Sequence, residues 1–222
     1  MKYIRPLSAT LSVFVLFLVG CSPDAVEDAA SDVYDRVAST AEEAHPLMAG
    51  MRAPSFEIPM ADGSMYSFDA DNLDQPVIII FYRGGWCPWC NRQLASLRSV
   101  EEELIDLGYE MLFISADREE MLEPSLKTED IAYTLLSDNE MDVARDYGLA
   151  FQVSQVTLDR YATAGIDLEA ASGYDHHILP VPATFVIGLD GMIEFVYANP
   201  NYRVRVDPEL LVLAASLAIE DL

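Results

Sequence analysis

Basic residues and cysteines are scarce in this sequence. Its 222 residues include 13 Lys or Arg against 37 Asp or Glu, which gives a formal net charge of -24 at pH 7. So large an excess of negative charge makes nucleic acid, itself a polyanion, a poor partner. No internal repeat is visible, and the length suits one folded domain with a substantial core.

One apolar run, over residues 11–19, stands out in the amino-terminal region. It is too short for a comfortable membrane span, and basic residues precede it as in an export signal. The run leads into Leu18-Val-Gly-Cys21, which resembles the lipobox where bacterial signal peptides are cut before a lipid-modified cysteine. We therefore predict a signal peptide over residues 1–20 and a lipid anchor on Cys21. An ordinary secretory signal that happens to contain a cysteine is the alternative.

The segment after Cys21 is rich in Ala, Asp, Glu and Ser, which is typical of a tether. We predict an acidic tether over residues 21–49 and a folded domain over residues 50–222. Ser22, rather than Asp, follows the predicted anchor, and the sorting rule of bacterial lipoproteins then favours the outer membrane. The predicted location is the cell envelope, with the domain facing the periplasm.

The rest of the pattern predicts an α/β domain with a central β-sheet flanked by helices. A continuous apolar run over residues 77–82 indicates a central strand covered on both faces. Apolar residues spaced by three or four predict one helix from the cysteines to Gly108, and residues 111–115 predict a second buried strand. Residues 53–68 predict an opening hairpin, whereas residues 151–174 predict an insertion with one or two helical turns.

Cys87 and Cys90 lie three apart between the central strand and the helical pattern, where a dithiol redox centre is the leading hypothesis. A cysteine in the first turn of a helix has its thiolate stabilised by unpaired N–H groups and by the helix dipole. We therefore expect Cys87 to be the nucleophile and Cys90 the resolving thiol. Because Cys21 is assigned to the anchor, no cysteine remains for a structural disulfide.

Metal binding is the main alternative for this cysteine pair, since Cys-X-X-Cys is also zinc spacing. A second cysteine pair is absent, and only His176 and His177 could complete a zinc site. Two cysteines with one histidine are also the ligands of copper chaperones, although those chaperones usually separate their cysteines by three residues. We interpret the histidines as loop residues and predict neither a metal nor another cofactor.

Three motifs in the same order resemble the peroxiredoxin-like branch of the thioredoxin superfamily, which includes the alkyl hydroperoxide reductase and thiol-specific antioxidant (AhpC/TSA) family. They are Ala-Pro-Ser-Phe-Glu-Ile-Pro over residues 53–59, Arg-Gly-Gly-Trp-Cys-Pro-Trp-Cys-Asn over residues 83–91 and Leu-Pro-Val-Pro-Ala-Thr-Phe over residues 179–185. The resemblance implies a thioredoxin-like fold with a central mixed sheet. It also implies that Pro182 is a cis-proline facing the cysteines and that Trp86 precedes the nucleophile as in thioredoxins.

Two features of typical peroxiredoxins are missing. The resemblance places a threonine three residues before the nucleophile, and Gly84 stands there instead. It also places an arginine at the position of Pro182. Arg83, Arg92 or Arg118 could substitute for that arginine if its side chain folds back toward the sulfur.

The resemblance therefore implies a thiol-dependent enzyme that reduces hydroperoxides and is reset by a thioredoxin-like or membrane-borne electron donor. The missing threonine and arginine favour an alternative, thiol–disulfide exchange on protein disulfides. A Cu(I)-binding module is the third hypothesis. Asp117, after the second strand, is interpreted as a loop cap rather than a proton carrier.

Overall fold

The computed structural model describes residues 37–126 and 133–220. The predicted signal peptide, Cys21 and the first part of the predicted tether lie outside these residues. The strands are β1 (Phe56–Pro59), β2 (Met65–Phe68), β3 (Val77–Tyr82), β4 (Glu110–Ser115), β5 (Thr134–Ser137), β6 (Ala150–Gln152), β7 (Ile178–Pro180), β8 (Ala183–Ile187) and β9 (Ile193–Ala198). The helices are α1 (Pro88–Leu97), α2 (Glu101–Asp106), α3 (Glu119–Leu126), α4 (Asp142–Asp146), α5 (Gln155–Thr163), α6 (Leu168–Ser172) and α7 (Pro208–Glu220).

A five-stranded mixed sheet with the order β5-β4-β3-β8-β9 forms the centre of the fold. Strands β3, β4 and β5 are mutually parallel, whereas β8 and β9 run antiparallel to their neighbours. The crossover from β3 through α1 and α2 to β4 places the start of α1 at the carboxyl edge of the sheet, where open α/β sheets carry their ligand and active sites. The predicted fold class, a thioredoxin-like α/β fold with an opening β1–β2 hairpin, is confirmed.

Strand β3 separates two hydrophobic cores. Ile78, Ile80 and Tyr82 face one side, where they join buried residues of α1 and α7. Ile79 and Phe81 belong to the other core. All six residues of the strand are buried because both faces of the sheet are covered.

The long helix predicted after the cysteines is interrupted, and that prediction is wrong in detail. Helix α1 ends at Leu97 and α2 begins at Glu101. Near the break, the Ser96 hydroxyl donates to the Gln93 carbonyl and the Ser99 hydroxyl donates to the Ser96 carbonyl, each at 2.8 Å. Serine side chains that compete in this way for backbone carbonyls weaken a helix locally.

The segment from residue 150 to residue 174 is more ordered than a connecting insertion. It contains the predicted helical turns as α5 and α6, and it also contains β6, which the sequence did not reveal. Strand β6 pairs antiparallel with β7 and forms a small second sheet. Three residues are too few to show strand periodicity.

Residues assigned by the sequence to the tether already pack against the domain. Ala38 forms a parallel bridge with Phe151, and Leu47 is buried in the core. The folded unit therefore extends further toward the amino terminus than residue 50. None of the helices in residues 37–126 and 133–220 combines the length and apolarity that crossing a membrane requires.

Candidate redox site

Helix α1 begins at the cysteine pair. Cys87 is its N-cap, with extended backbone angles, and Pro88 follows at the first helical position. The Cys87 carbonyl accepts hydrogen bonds from the N–H groups of Cys90 and Asn91 at 3.0 and 3.1 Å. Proline suits this position because its missing N–H would have no partner inside the helix. The local sequence thus fixes the Cys87 thiol at the positive end of α1.

The two thiols, both free and buried, differ in their tendency to ionise. Hydrogen bonds from the Cys90 thiol and N–H lower the pKa of Cys87 to about 6 against the opposing effect of burial, and the charges of Arg83 and Arg205 contribute. Burial raises the pKa of Cys90 well above its ordinary value, and the adjacent Cys87 sulfur adds to this effect. The arrangement therefore holds one thiolate and one thiol at neutral pH.

Arg205, which sequence reasoning missed, touches the sulfur of Cys90. Its Nη2 donates to Cys90 Sγ at 3.2 Å, and its Nη1 donates to Gln93 Oε1 at 2.5 Å. Its Nε donates to the Tyr202 carbonyl at 2.8 Å, so each of the three guanidinium nitrogens has a partner. This fork holds a cation beside both cysteines.

Arg83 is the second cation at the site, as the sequence suggested. It is only 4 % exposed, and its guanidinium lies 4.4 Å from the ring centre of Tyr202 and 5.6 Å from that of Tyr161. The rings of Trp86 and Phe151 are also within about 6 Å. Its Nε has no hydrogen-bond partner in the part of the chain that the structure describes.

Arg92 and Arg118, the other arginines considered from the sequence, do not take this place. The Arg92 guanidinium lies 4.3 Å from the ring centre of Trp89 on the exposed side of α1. Arg118 is exposed and pairs with Glu120 at 3.6 Å. The condition for either to substitute, a side chain folded back toward the sulfur, is therefore not met, since each contacts a partner at the surface.

Asp117 occupies the space beside Gly84, where the resemblance implied a threonine. The carboxylate is 1 % exposed and accepts hydrogen bonds from the Gly85 N–H at 2.6 Å and from Trp86 Nε1 at 3.1 Å. A Cβ at Gly84 would lie less than 3.0 Å from both carboxylate oxygens and from Trp86 Nε1, and its φ of +145° also favours glycine. Burial raises the pKa of Asp117 to about 7. Asp117 does cap a loop, as predicted, but the loop is the one that carries the cysteines.

Pro182 lies beside Arg83, but it is not a cis-proline. The residues that the structure describes contain no cis peptide bond. The Val181 N–H donates to the Leu149 carbonyl, and the Pro182 carbonyl accepts from the Asn199 N–H, so the chain runs extended from β7 into β8. The trans bond is the intrinsically preferred form, and these contacts accommodate it.

The hydrogen-bond partners of His176 and His177 are groups other than the cysteines. His176 Nε2 is 2.8 Å from the Asn139 carbonyl, and His177 Nε2 is 2.9 Å from the Glu169 carboxylate. Within residues 37–126 and 133–220, no three His, Cys, Asp or Glu side chains are grouped so that they could hold a metal ion.

A cleft of about 550 Å³ opens beside Arg83. Its wall includes Tyr161, which packs edge-on against Trp86 with ring centres 5.4 Å apart, and Pro182. Arg160 and Arg203 lie at the same cleft and are exposed. A cleft of this volume is large enough for a small organic molecule.

Comparison with known proteins agrees with this fold and indicates the family. Residues 49–196 match the model of the AhpC/TSA family. Peroxiredoxin Bcp of Escherichia coli K12 is 32% identical over 155 residues, covering 69% of this chain and 86% of that protein. Chloroplastic peroxiredoxin Q of Oryza sativa subsp. japonica is 26% identical over 168 residues, covering 76% of this chain and 67% of that protein. The crystal structure of peroxidoxin BcpB from Mycobacterium tuberculosis superposes with a TM-score of 0.60 at 19% identity, covering 78% of this chain and 97% of that one.

Proposed function

Because the chain belongs to the AhpC/TSA family and is a peroxiredoxin-like thiol oxidoreductase, we propose that it reduces hydroperoxides with Cys87 and Cys90. The observation that carries this proposal is the ordered pair of thiols at the start of α1. The pKa of Cys87 is lowered to about 6, whereas that of Cys90 is raised. At pH 7 the Cys87 thiolate is then roughly a hundredfold more abundant than that of a thiol with the ordinary pKa of 9.0.

The reaction follows from this difference in ionisation. The Cys87 thiolate attacks the terminal oxygen of the hydroperoxide, the O–O bond breaks, and the alkoxide that leaves takes a proton from solvent and is released as the alcohol. Cys87 becomes a sulfenic acid. The Cys90 sulfur then attacks it, hydroxide leaves as water after taking the Cys90 proton, and a disulfide forms. Two electrons from a thiol donor restore the dithiol.

Arg83 and Arg205 supply the positive charge that this sequence of steps requires. Arg83 favours the Cys87 thiolate, and Arg205 contacts Cys90 as its proton is lost. A charge-assisted hydrogen bond of this kind contributes about 1.5–3 kcal/mol. Together these residues take the place of the arginine that the typical peroxiredoxin pattern would put at position 182.

Thiol–disulfide exchange is the second candidate, and Gly84 is the observation that favours it. A side chain at that position would collide with Asp117 and Trp86, so the present packing leaves no room for a hydroxyl there. In exchange, the Cys87 thiolate attacks a protein disulfide and Cys90 resolves the mixed disulfide, so no peroxide oxygen has to be oriented.

Stopped-flow fluorescence separates the two candidates, since Trp86 and Trp89 flank Cys87. The reduced protein is mixed with hydrogen peroxide or with oxidised thioredoxin, beside Cys87→Ser and Cys90→Ser variants. We expect a second-order rate with peroxide well beyond the roughly hundredfold gain over a free thiol that ionisation alone provides. Cys87→Ser should abolish the reaction, and Cys90→Ser should stop it at the sulfenic acid.

A rate with peroxide no greater than ionisation explains, together with rapid reaction with oxidised thioredoxin, would establish exchange instead. Reduction of the Cys87–Cys90 disulfide also identifies the electron donor. A thioredoxin-like or membrane-borne donor should reduce the disulfide of the wild type. The same donor should form a stable mixed disulfide with the protein when its own resolving cysteine is replaced.

The envelope location is supported by the motif at Leu18–Cys21 alone. A lipid on Cys21 would hold the domain at the membrane surface. Cell fractionation of a Cys21→Ser variant tests this, because release from the membrane fraction is expected. Unchanged membrane association would contradict the anchor.

A further inference from the structure

The cleft beside Arg83, the arginine whose charge acts on Cys87, is lined by positive charge in a protein that is otherwise strongly acidic. Arg83, Arg160 and Arg203 line it, and Glu42 is the one carboxylate among its described lining residues. Neither Arg160 nor Arg203 forms an ion pair with a carboxylate in the described part of the chain. Phe151, Ile166 and other apolar groups complete the wall. The cleft therefore combines cationic and apolar surface within reach of one small molecule.

The arginines of the described residues are concentrated at this cleft and beside the cysteines. The described residues contain nine arginines and no lysine. Three of the nine line this cleft and a fourth, Arg205, binds the sulfur of Cys90. With a net charge of -24 on the whole chain, such a concentration creates a local positive potential that attracts anions.

Oxidation changes the charge balance of this region. In the reduced protein the Cys87 thiolate is the negative charge that faces Arg83 and Arg205. A Cys87–Cys90 disulfide is neutral, so both guanidinium groups lose that partner. Arg83 is buried and its Nε has no partner within residues 37–126 and 133–220, and a buried charge without a counter-charge is costly. The oxidised form should therefore bind an anion in the cleft more tightly than the reduced form.

We propose that this cleft binds a small carboxylate-bearing thiol that reduces the disulfide, in addition to any protein donor. The proposal rests on the proposed function, because the Cys87–Cys90 disulfide is the form that it reduces. The carboxylate contacts Arg160 and Arg203, which places the thiol sulfur at the Arg83 and Tyr161 side of the cleft.

The reduction proceeds in two steps. The thiolate of the bound molecule attacks Cys87 Sγ, the Cys87–Cys90 bond breaks, and Cys90 leaves as a thiolate beside Arg205. A second molecule attacks the mixed disulfide and releases the Cys87 thiolate together with the disulfide of the small thiol. Two thiols are oxidised and one protein disulfide is reduced, with both electrons passing to the cysteine sulfurs. The restored Cys87 thiolate again compensates the charge of Arg83, which weakens the attraction of the cleft for the carboxylate and favours release of the small molecule.

An anionic thiol fits the charge of the oxidised site better than an anionic peroxide fits the reduced one. A carboxylated peroxide would bring its charge toward a thiolate that already compensates Arg83. The carboxylated thiol instead arrives when no thiolate is present. The change in charge thus assigns the cleft to the reductive half of the cycle.

The test compares small thiols that differ in charge. Protein is oxidised with diamide, so that no peroxide reaction is needed, and is then reduced with 3-mercaptopropionate, 2-mercaptoethanol or cysteamine. Reduction is followed by tryptophan fluorescence, and rates are expressed per thiolate. We expect the carboxylated thiol to react about tenfold faster than the neutral one at low salt, with cysteamine slowest, and the preference to shrink as salt rises.

Arg160→Gln combined with Arg203→Gln should bring the ratio of rates for the carboxylated and neutral thiols close to one. Both side chains are exposed, so the variant should fold. Arg118→Gln, an exposed arginine outside the cleft, is the matched control and should keep the wild-type ratio. As a non-reactive probe, succinate should quench or shift the tryptophan fluorescence of the oxidised protein at lower concentration than that of the reduced protein.

A ratio near one in the wild type, or a preference that survives the double substitution, would overturn the proposal. Equal succinate binding to both redox forms would do the same. The peroxidase assignment is judged separately. A slow peroxide reaction with the thiol preference intact would remove the proposed peroxidase function and leave the cleft assignment standing, and a fast peroxide reaction with no preference would do the reverse.

Discussion

Two buried carboxylates at the same edge of the sheet serve different regions of the molecule. Asp117 follows β4 and Asp138 follows its parallel neighbour β5, and they are 1 % and 4 % exposed. Burial raises the pKa of each to about 7. Each carboxylate also accepts hydrogen bonds from two N–H groups. The two residues therefore match in their position after a parallel strand, in their burial and in their pKa.

The partners of the two carboxylates differ. Asp138 accepts from the N–H groups of Val143 and Ala144 in the first turn of α4, the helix that follows directly in the sequence. Asp117 accepts from Gly85 and Trp86, which precede it by about thirty residues and lead into Cys87. A buried carboxylate thus holds a local helix start in one region and organises the redox loop in the other. Burial and pKa alone do not distinguish a structural acid from one that supports an active site.

The pH dependence of stability should show what the two regions share. A carboxyl group whose pKa is about 7 in the folded state and 3.8 in the unfolded state keeps its proton up to a higher pH when the protein is folded. Unfolding then releases a proton between pH 4 and pH 7, so each carboxylate lowers the free energy of unfolding as pH rises through this window. The full shift corresponds to about 4 kcal/mol for each group. Above pH 7 this contribution no longer changes.

Urea unfolding of Asp117→Asn and Asp138→Asn between pH 4 and pH 8 measures these contributions. Each variant should lose less stability than the wild type over that range, and the double variant should show the sum because the two sites share no partner. Only Asp117→Asn should also change the tryptophan fluorescence of the folded protein, since Asp117 accepts from Trp86 Nε1. A fluorescence change of equal size in Asp138→Asn would contradict the conclusion that only Asp117 holds the redox loop.

The space beside Asp117 gives a second, smaller effect. Gly84 and Gly108 both have positive φ, at +145° and +92°, but only at Gly84 would a Cβ meet other atoms. Gly84→Ala should therefore lower the free energy of unfolding by about 3 kcal/mol, from backbone strain together with overpacking. Gly108→Ala, which has nothing within 4 Å of its Cβ, should cost only about 1 kcal/mol of backbone strain.

Denaturant unfolding at pH 7 compares these two glycine variants directly. Equal losses would mean that Asp117 and Trp86 move aside at no cost, and the close packing of the redox loop would then have no energetic importance. Gly84→Thr extends the test, because it adds the hydroxyl of typical peroxiredoxins. We expect this variant to react with peroxide more slowly than the wild type, since the added side chain displaces the carboxylate that holds the loop.

Much of the fold and the centre of the site could be predicted from local sequence. The apolar, β-branched run over residues 77–82 predicts a strand covered on both faces, and a Cys-X-X-Cys motif directly after it is then expected at the sheet edge. The residues on which these two predictions depend are therefore close together in the sequence. Arg83 could be suggested for the same reason, because it precedes the nucleophile by four residues.

The rest of the site depends on contacts between distant segments. Arg205 lies 115 residues after Cys90 in a stretch without helical or strand periodicity, so no spacing links it to the sulfur. Asp117 could be recognised as a capping residue but not assigned to the loop that it caps, because loops bring together N–H groups from different parts of the chain. The trans bond before Pro182 could not be inferred either, since the family motif implied the other isomer.

The smallest expected effect is that of replacing Arg205. It compares an arginine in contact with the redox pair with an exposed arginine elsewhere in the fold. Its guanidinium contacts Cys90 Sγ at 3.2 Å and helps to lower the pKa of both cysteines. Arg205→Gln should slow disulfide formation after peroxide addition by about tenfold, or about 1.4 kcal/mol, which is close to the lower end for a charge-assisted hydrogen bond, and should shift its pH profile upward. The second phase of tryptophan fluorescence reports this rate.

Arg205→Lys should recover part of the lost rate because the charge remains while the guanidinium fork is lost, whereas the exposed Arg52→Gln should react like the wild type. An unchanged pH profile in Arg205→Gln would mean that the guanidinium holds the loop in place without acting on the Cys90 sulfur.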